Sequence, residues 1–314
     1  SFLISIIFGV NLMNKRYNSL DEFYKKKFGT KIAKISLNAN FTCPNIDGKK
    51  AFGGCTFCLA GSSMFGGDKQ KSLLEQFEEG KKRVQTKWKD AKYIAYFQAN
   101  TNTYDTVDNL KKRFEIFLNM KDVVGIDIST RADAINEDIL DYLEELNKKT
   151  FLTIELGLQT IHEKTRKELN RFEEIEEITK ICKELKKRNI NTVVHIINGF
   201  KNETKDDMLE TIKFVNKLGV DGVKIHMLFI EKGTKLSKEY LENPFHILTL
   251  NEFVDIVCDQ IELLNKNIVL YRLTGDPNKE LTIEPTWTHK KFVVLNEIDK
   301  ELKRRNTYQG IKSK

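Results

Sequence analysis

The chain has 314 residues, 40% of them hydrophobic and 31% charged, with a net charge of +7. That balance suits a globular unit with a sizeable core and excludes the compositions of disordered or fibrous chains. Seventeen glycines and four prolines are too few for linkers or low-complexity stretches, and five cysteines, an odd number, do not make a disulfide framework.

The opening stretch, residues 1–12, is apolar but shorter than a bilayer span, and it lacks the basic start and small-residue cleavage site of a signal peptide. Met13 follows at once, so the segment is expected to be a non-native extension of a cytoplasmic protein that makes no membrane contact. From there β-branched or aromatic runs alternate with amphipathic charged stretches. Strands are predicted over 33–37, 93–98, 124–129, 152–157, 192–197 and 223–228, with helices over 73–88, 107–120, 137–147, 173–188 and 205–217. In the last of these, Met208, Ile212, Val215 and Leu218 follow the helical period. Strand–helix alternation implies parallel pairing with right-handed crossovers. Six units fit a partial, open β/α barrel; a doubly wound sheet is the alternative that the spacing leaves open. Cys182 and Cys258 lie in helical runs and read as buried core thiols.

In either architecture the chemistry collects at the C-terminal ends of the strands. The segment after the first strand carries Cys43, Cys55 and Cys58, the last two as a C-x-x-C pair. Three thiolates on one loop suit an iron–sulfur cluster, or most of a zinc site. No Cys or His occurs between Cys58 and His162, so a local fourth ligand of those types is missing. Polar segments follow the other strands: residues 98–103, Ser129 to Arg131, Gln159 and Thr160, then Asn198 and Gly199. They converge on one rim. Between 300 and 314 six basic residues face one acid, a tail that could meet phosphates or simply be solvated.

The ordered set CPNIDGKKAFGGCTFC (43–58), KYIAYFQANTNTY (92–104), ELGLQT (155–160), HIINGF (195–200), GVKIHML (222–228), RLTGD (272–276) and YQG (308–310) resembles the YhcC/YtqA-type radical S-adenosylmethionine (SAM) proteins. That group is related to the catalytic subunit of Elongator and to the oxygen-independent coproporphyrinogen dehydrogenases. The resemblance implies an α/β partial (β/α)6 radical-SAM barrel, open, over residues 13–235. A short, α-rich C-terminal extension with a basic tail, 236–314, would pack on it. It implies a [4Fe–4S] cluster held by Cys43, Cys55 and Cys58, with SAM chelating the fourth iron. It also implies an electron donor such as flavodoxin or ferredoxin.

SAM contacts carried over from the resemblance are Gln98, Asn100 and Thr101, which stand where many relatives have a Gly-Gly-Glu-like turn. Asp127 matches a strand carboxylate near SAM, with pairing to Arg131 at a strand end as its plainer reading. Gln159 matches a Gly-Val-Gln segment. Arg171 follows twelve positions later, with an exposed cap on the 169–170 turn as its plainer reading. His195 replaces an Asp of the fifth strand. Candidates near the substrate are His226, Arg272 and Asp276, and Trp287 is a possible base-stacking surface. The kinship points to tRNA as substrate. The reaction expected is conversion of wobble 5-carboxymethylaminomethyl-uridine to 5-aminomethyl-uridine. The alternatives are radical chemistry on a small molecule such as a tetrapyrrole, and a non-catalytic iron–sulfur RNA-binding protein.

Overall fold

The computed structural model describes residues 15–59 and 67–313, so the expected extension at 1–12 lies outside the described residues. In chain order the elements begin α1 (Leu20–Phe28), β1 (Ile32–Leu37), α2 (Leu73–Gln85), β2 (Lys92–Phe97), α3 (Val107–Phe114) and β3 (Val123–Thr130). They continue α4 (Glu137–Lys149), β4 (Phe151–Gln159), α5 (Glu163–Glu168), α6 (Ile175–Lys187), β5 (Asn191–Asn198), α7 (Lys205–Leu218) and β6 (Gly222–Met227). The C-terminal section adds β7 (Ile230–Glu231), α8 (Lys235–Glu242), α9 (Leu250–Leu263), β8 (Val269–Arg272), β9 (Thr282–Glu284) and α10 (Lys291–Arg304).

Seven parallel strands pair in the order β1-β2-β3-β4-β5-β6-β8. A doubly wound sheet reverses its strand order part-way. Here each strand lies beside its sequence neighbour throughout, so the sheet curls one way into an open half-barrel with helices outside. The seventh strand went unpredicted because it is only four residues long. The predicted helix over 107–120 stops at Phe114 and gives way to a tight turn, Glu115–Phe117. Elsewhere the elements match the periodicity within a few residues at each end.

Strand side chains alternate faces, and here the two faces differ in kind. Ala33, Ile35, Leu37, Ala95, Phe97, Ile126, Ile128, Ile154, Leu156, Val194, Ile196, Val223 and Ile225 point outward into one continuous apolar core under the helices. The inward set is layered. At the strand starts Ile32 and Ile94 on one side, and Val193, Val269 and Tyr271 on the other, pack against Leu20, Phe23 and Tyr24 of α1. Helix α1 therefore plugs the floor of the half-barrel. Ser19 caps it by accepting from the Glu22 N–H, and Gly29 ends it in the left-handed region. Above that floor the inward side chains turn polar.

A reciprocal amide pair ties the sheet to the C-terminal section. Asn198 donates to Gln260 Oε1 at 2.8 Å, and Gln260 donates back to Asn198 Oδ1 at 2.9 Å and to the Met208 carbonyl. Both side chains are buried. Gln260→Leu leaves the Asn198 amide without a partner, and urea denaturation should register a loss of about 1–3 kcal/mol.

Candidate active site

The loop after β1 is strapped in place from several sides. Gln76 of α2 accepts from the Asn38 N–H and donates to the Asn38 carbonyl at 2.8 and 3.1 Å. The Cys43 carbonyl accepts from Ile46 and Asp47, so the chain folds back on itself directly after the first thiol. Gly53 and Gly54 both have φ near +78°, an arrangement reserved for glycine, and they turn the chain into Cys55. The loop is then fixed to the turn after α5. Asn170 donates to Gly54 O at 2.8 Å, Thr56 N–H donates to Leu169 O, and Asn45 donates to Asn170 O. Asn45 Nδ2 also lies 3.5 Å from Cys55 Sγ, and Arg171 Nη1 lies 4.0 Å from it. No disulfide joins these cysteines.

All three thiols open onto a cavity of about 250 Å³ at the C-terminal ends of the strands. Gln98, Asn100, Thr101, Gln159, Arg171, His195, His226 and Arg272 line it too. Asn100 is left-handed and spends its amide on the Phe41 carbonyl at 2.7 Å, bracing the cysteine loop. Gln98 Oε1 accepts from Ser36 at 3.1 Å. Gln159 sits in the left-handed region, where the β4–β5 register shifts. Arg171 is no exposed cap: it is 6% exposed, donates to the Gly157 carbonyl and pairs with Glu173.

Two expected residues stand apart from this cavity. Asp127 is fully buried one layer below and pairs with Lys34. Arg131 pairs instead with Asp133, at 2.6 Å, because it has already turned off the end of β3. Asp276 lines a neighbouring chamber and binds Lys291 at 2.8 Å, with Arg272 at 3.5 Å. Trp287 packs its ring on Phe253 and donates to the Leu248 carbonyl, so it is held as part of the core. Cys182 and Cys258 are buried thiols, each pushed up to about 12 by burial.

Under the cavity lies a buried charged layer that the sequence reading did not single out. Glu155 Oε2 accepts from Lys224 at 2.6 Å, Tyr96 at 2.8 Å, His195 at 2.9 Å and Ser129 at 3.0 Å. Its Oε1 accepts from Lys34 at 3.0 Å. Burial alone would raise this carboxyl, yet Lys224, Lys34 and His195 hold it well below the usual carboxylate range. Lys224 shares that one carboxylate and also faces Lys34 and Arg272. Burial and those cations press it down to about 7. Burial, then Lys224, brings His195 down to about 4, and burial, then Arg272, holds His226 well below the ordinary imidazole value. Both imidazoles are therefore neutral at pH 7, stacked with centroids 5.7 Å apart.

The model of the Radical SAM superfamily matches residues 50–215, and that of the Radical_SAM C-terminal domain matches residues 220–304. The chain belongs to the radical SAM superfamily. Within it the chain is of the YtqA type: the uncharacterized protein YtqA of Bacillus subtilis is 46% identical over 297 residues, 94% of this chain and 92% of that protein. The tRNA-2-methylthio-N(6)-dimethylallyladenosine synthase of Fusobacterium nucleatum is 26% identical over 207 residues, 64% of this chain and 45% of its own length. Among solved structures, the archaeal Methanocaldococcus infernus Elp3 with an N-terminal deletion has a TM-score of 0.67 at 15% identity over 89% of this chain. This chain covers 64% of that one, and the likeness is one of fold. As a radical SAM enzyme the chain works with a [4Fe–4S] cluster and SAM. The donor set fits: three thiols line one cavity, with amide and guanidinium N–H groups beside Cys55.

Two outcomes follow from the charged layer. Glu155→Gln leaves buried Lys224 without a carboxylate and Lys34 with Asp127 alone, and should cost about 3–5 kcal/mol in urea denaturation. Pairing it with Lys224→Met should recover part of that loss. Lys224 has a folded value near 7 and an ordinary value of 10.5, so between those pH values the unfolded chain holds a proton that the folded chain has shed. This residue therefore makes folding more favourable as pH rises through that window, and its charge is most costly below it. The stability–pH slope of Lys224→Met should be flatter there than that of the wild type.

Proposed function

We propose that Cys43, Cys55 and Cys58 hold the [4Fe–4S] cluster, leaving one iron for SAM, and that the enzyme acts on the wobble uridine of tRNA. The reaction is conversion of 5-carboxymethylaminomethyl-uridine to 5-aminomethyl-uridine. The observation that carries the reading is the meeting of three thiols with a polar, partly basic cavity at the barrel mouth, beside a second chamber of about 420 Å³ that shares five of its lining residues.

A cluster held by Cys43, Cys55 and Cys58 would supply the electron for reductive cleavage of SAM, and with it radical chemistry at an unactivated carbon. The protein's part is to bind, orient and keep water out. Asn100 and Thr101 brace the cysteine loop through Phe41 and Thr42. Arg171 sits over Cys55, and Gln98, Gln159 and His195 line the wall where SAM would lie. Helix α1 and the charged layer close the floor beneath.

Two features favour RNA. The chain carries a net charge of +7, with exposed Lys49 and Lys50 on the cysteine loop itself. A tRNA-modifying synthase is among its relatives. A reduced flavodoxin or ferredoxin is the electron donor in this reading.

Anaerobically reconstituted protein should hold about four irons per chain and form 5′-deoxyadenosine from SAM, faster with tRNA lacking the final modification. Cys55→Ala should lose the cluster and all turnover. Nucleosides from cells without the gene should accumulate the carboxymethylaminomethyl form; an unchanged profile rules out the wobble-uridine reading. Turnover indifferent to tRNA redirects it to a small molecule.

A further inference from the structure

The cysteine-lined cavity and the second chamber share a wall made of Tyr96, Gln98, Lys224, His226 and Arg272. Lys34, Lys224 and Arg272 face two buried carboxylates, Asp127 and Glu155, and both of those are engaged with the lysines. Asp276 leans toward Lys291 at 2.8 Å and stands 3.5 Å from Arg272. Glu231, which also borders the chamber, accepts from the Asn278 backbone N–H. Among the described residues no hydrogen bond is made by the Arg272 guanidinium. Beside it, His226 Nε2 is buried with no partner. Glycine at 275 lets this corner exist, since a Cβ there would lie 2.4 Å from the Phe229 ring and 3.5 Å from His226 Nδ1.

We propose that Arg272 and His226 form a subsite for a carboxylate on the substrate. A guanidinium offers a planar fork of donors that matches a carboxylate in two-point contact. A neutral imidazole with its proton on Nε2 adds a third donor. The carboxylate's two oxygens match the two-point donor fork of Arg272, which forms no hydrogen bond of its own among the described residues. The subsite lies across the shared wall from the thiols, so a bound carboxylate sets the neighbouring carbon of the substrate toward the SAM cavity. The inference rests on the functional reading above, in which that cavity takes SAM and its neighbour takes the modified base.

The test is binding to reconstituted protein with SAM present, by equilibrium dialysis. The probes are free 5-carboxymethylaminomethyl-uridine and its primary amide, plus N-benzylglycine and its amide. Wild type should bind each acid at least about tenfold tighter than its amide, as expected for a charge-assisted contact. Arg272→Gln should bring that ratio close to one, and Arg272→Lys, which keeps the charge but loses the fork, should keep part of it. An acid preference that survives in Arg272→Gln overturns the subsite, as does a variant that loses SAM binding with the preference intact. If only the benzylglycine pair shows an Arg272-dependent preference, the subsite stands and the wobble-uridine reading falls. If tRNA is modified but neither pair shows the preference, the subsite falls alone.

Discussion

The buried carboxylate of Glu155 is the constraint on which the interior of this half-barrel turns. It takes donors from β1, β2, β3, β5 and β6, so a single side chain on β4 gathers five other strands into one layer. Isolated, such a charge would be very costly in a medium of low polarity. Surrounded by Lys34, Lys224, Tyr96, Ser129 and His195 it becomes a reason for register. A slip of one residue in any of these strands would send its donor to the outer, apolar face. The charged layer also separates two regimes. Below it Ile32, Ile94 and α1 make a dry floor, and above it the wall lined by thiols, amides and imidazoles is free to bind.

Much of this was legible in the sequence. Alternation of short β-branched runs with amphipathic helices carried the parallel α/β sheet, and the three cysteines carried a cluster or metal site; the resemblance decided for the open barrel and for iron–sulfur. The polar segments at strand ends met at one cavity, since parallel strands in a barrel all point their C-terminal ends the same way. Strand β8 was missed because four residues give no periodicity to read. The burial of Asp127 beneath the cavity was not legible, because motif matching places a residue along a strand but not at a depth. The charged layer had a signal that was passed over. Each of the runs IAKISL, GIDIS, TIELGL and GVKIHM breaks an apolar strand with one lysine or carboxylate. Lone charges in buried strands need partners, and four such residues on strands of one barrel can only meet inside it.

The layer also links structure to chemistry. Burial first, then the neighbouring cations Lys34 and Arg272, brings Lys224 down to about 7, and burial with the nearby cations keeps both imidazoles neutral. Neutral imidazoles beside a cationic wall suit the binding and orientation of an anionic group better than they suit acid catalysis. In a radical enzyme that is the protein's main task, because the cofactor supplies the difficult bond-breaking step.

The central claim is that the three cysteines present a cluster with one iron open to SAM in this cavity. Electron paramagnetic resonance of the reduced, reconstituted protein tests it most directly. The account predicts a [4Fe–4S]⁺ signal whose g-values shift when SAM is added, and the loss of that signal in Cys55→Ala. A signal indifferent to SAM, or a protein that takes up zinc in place of iron, would contradict it.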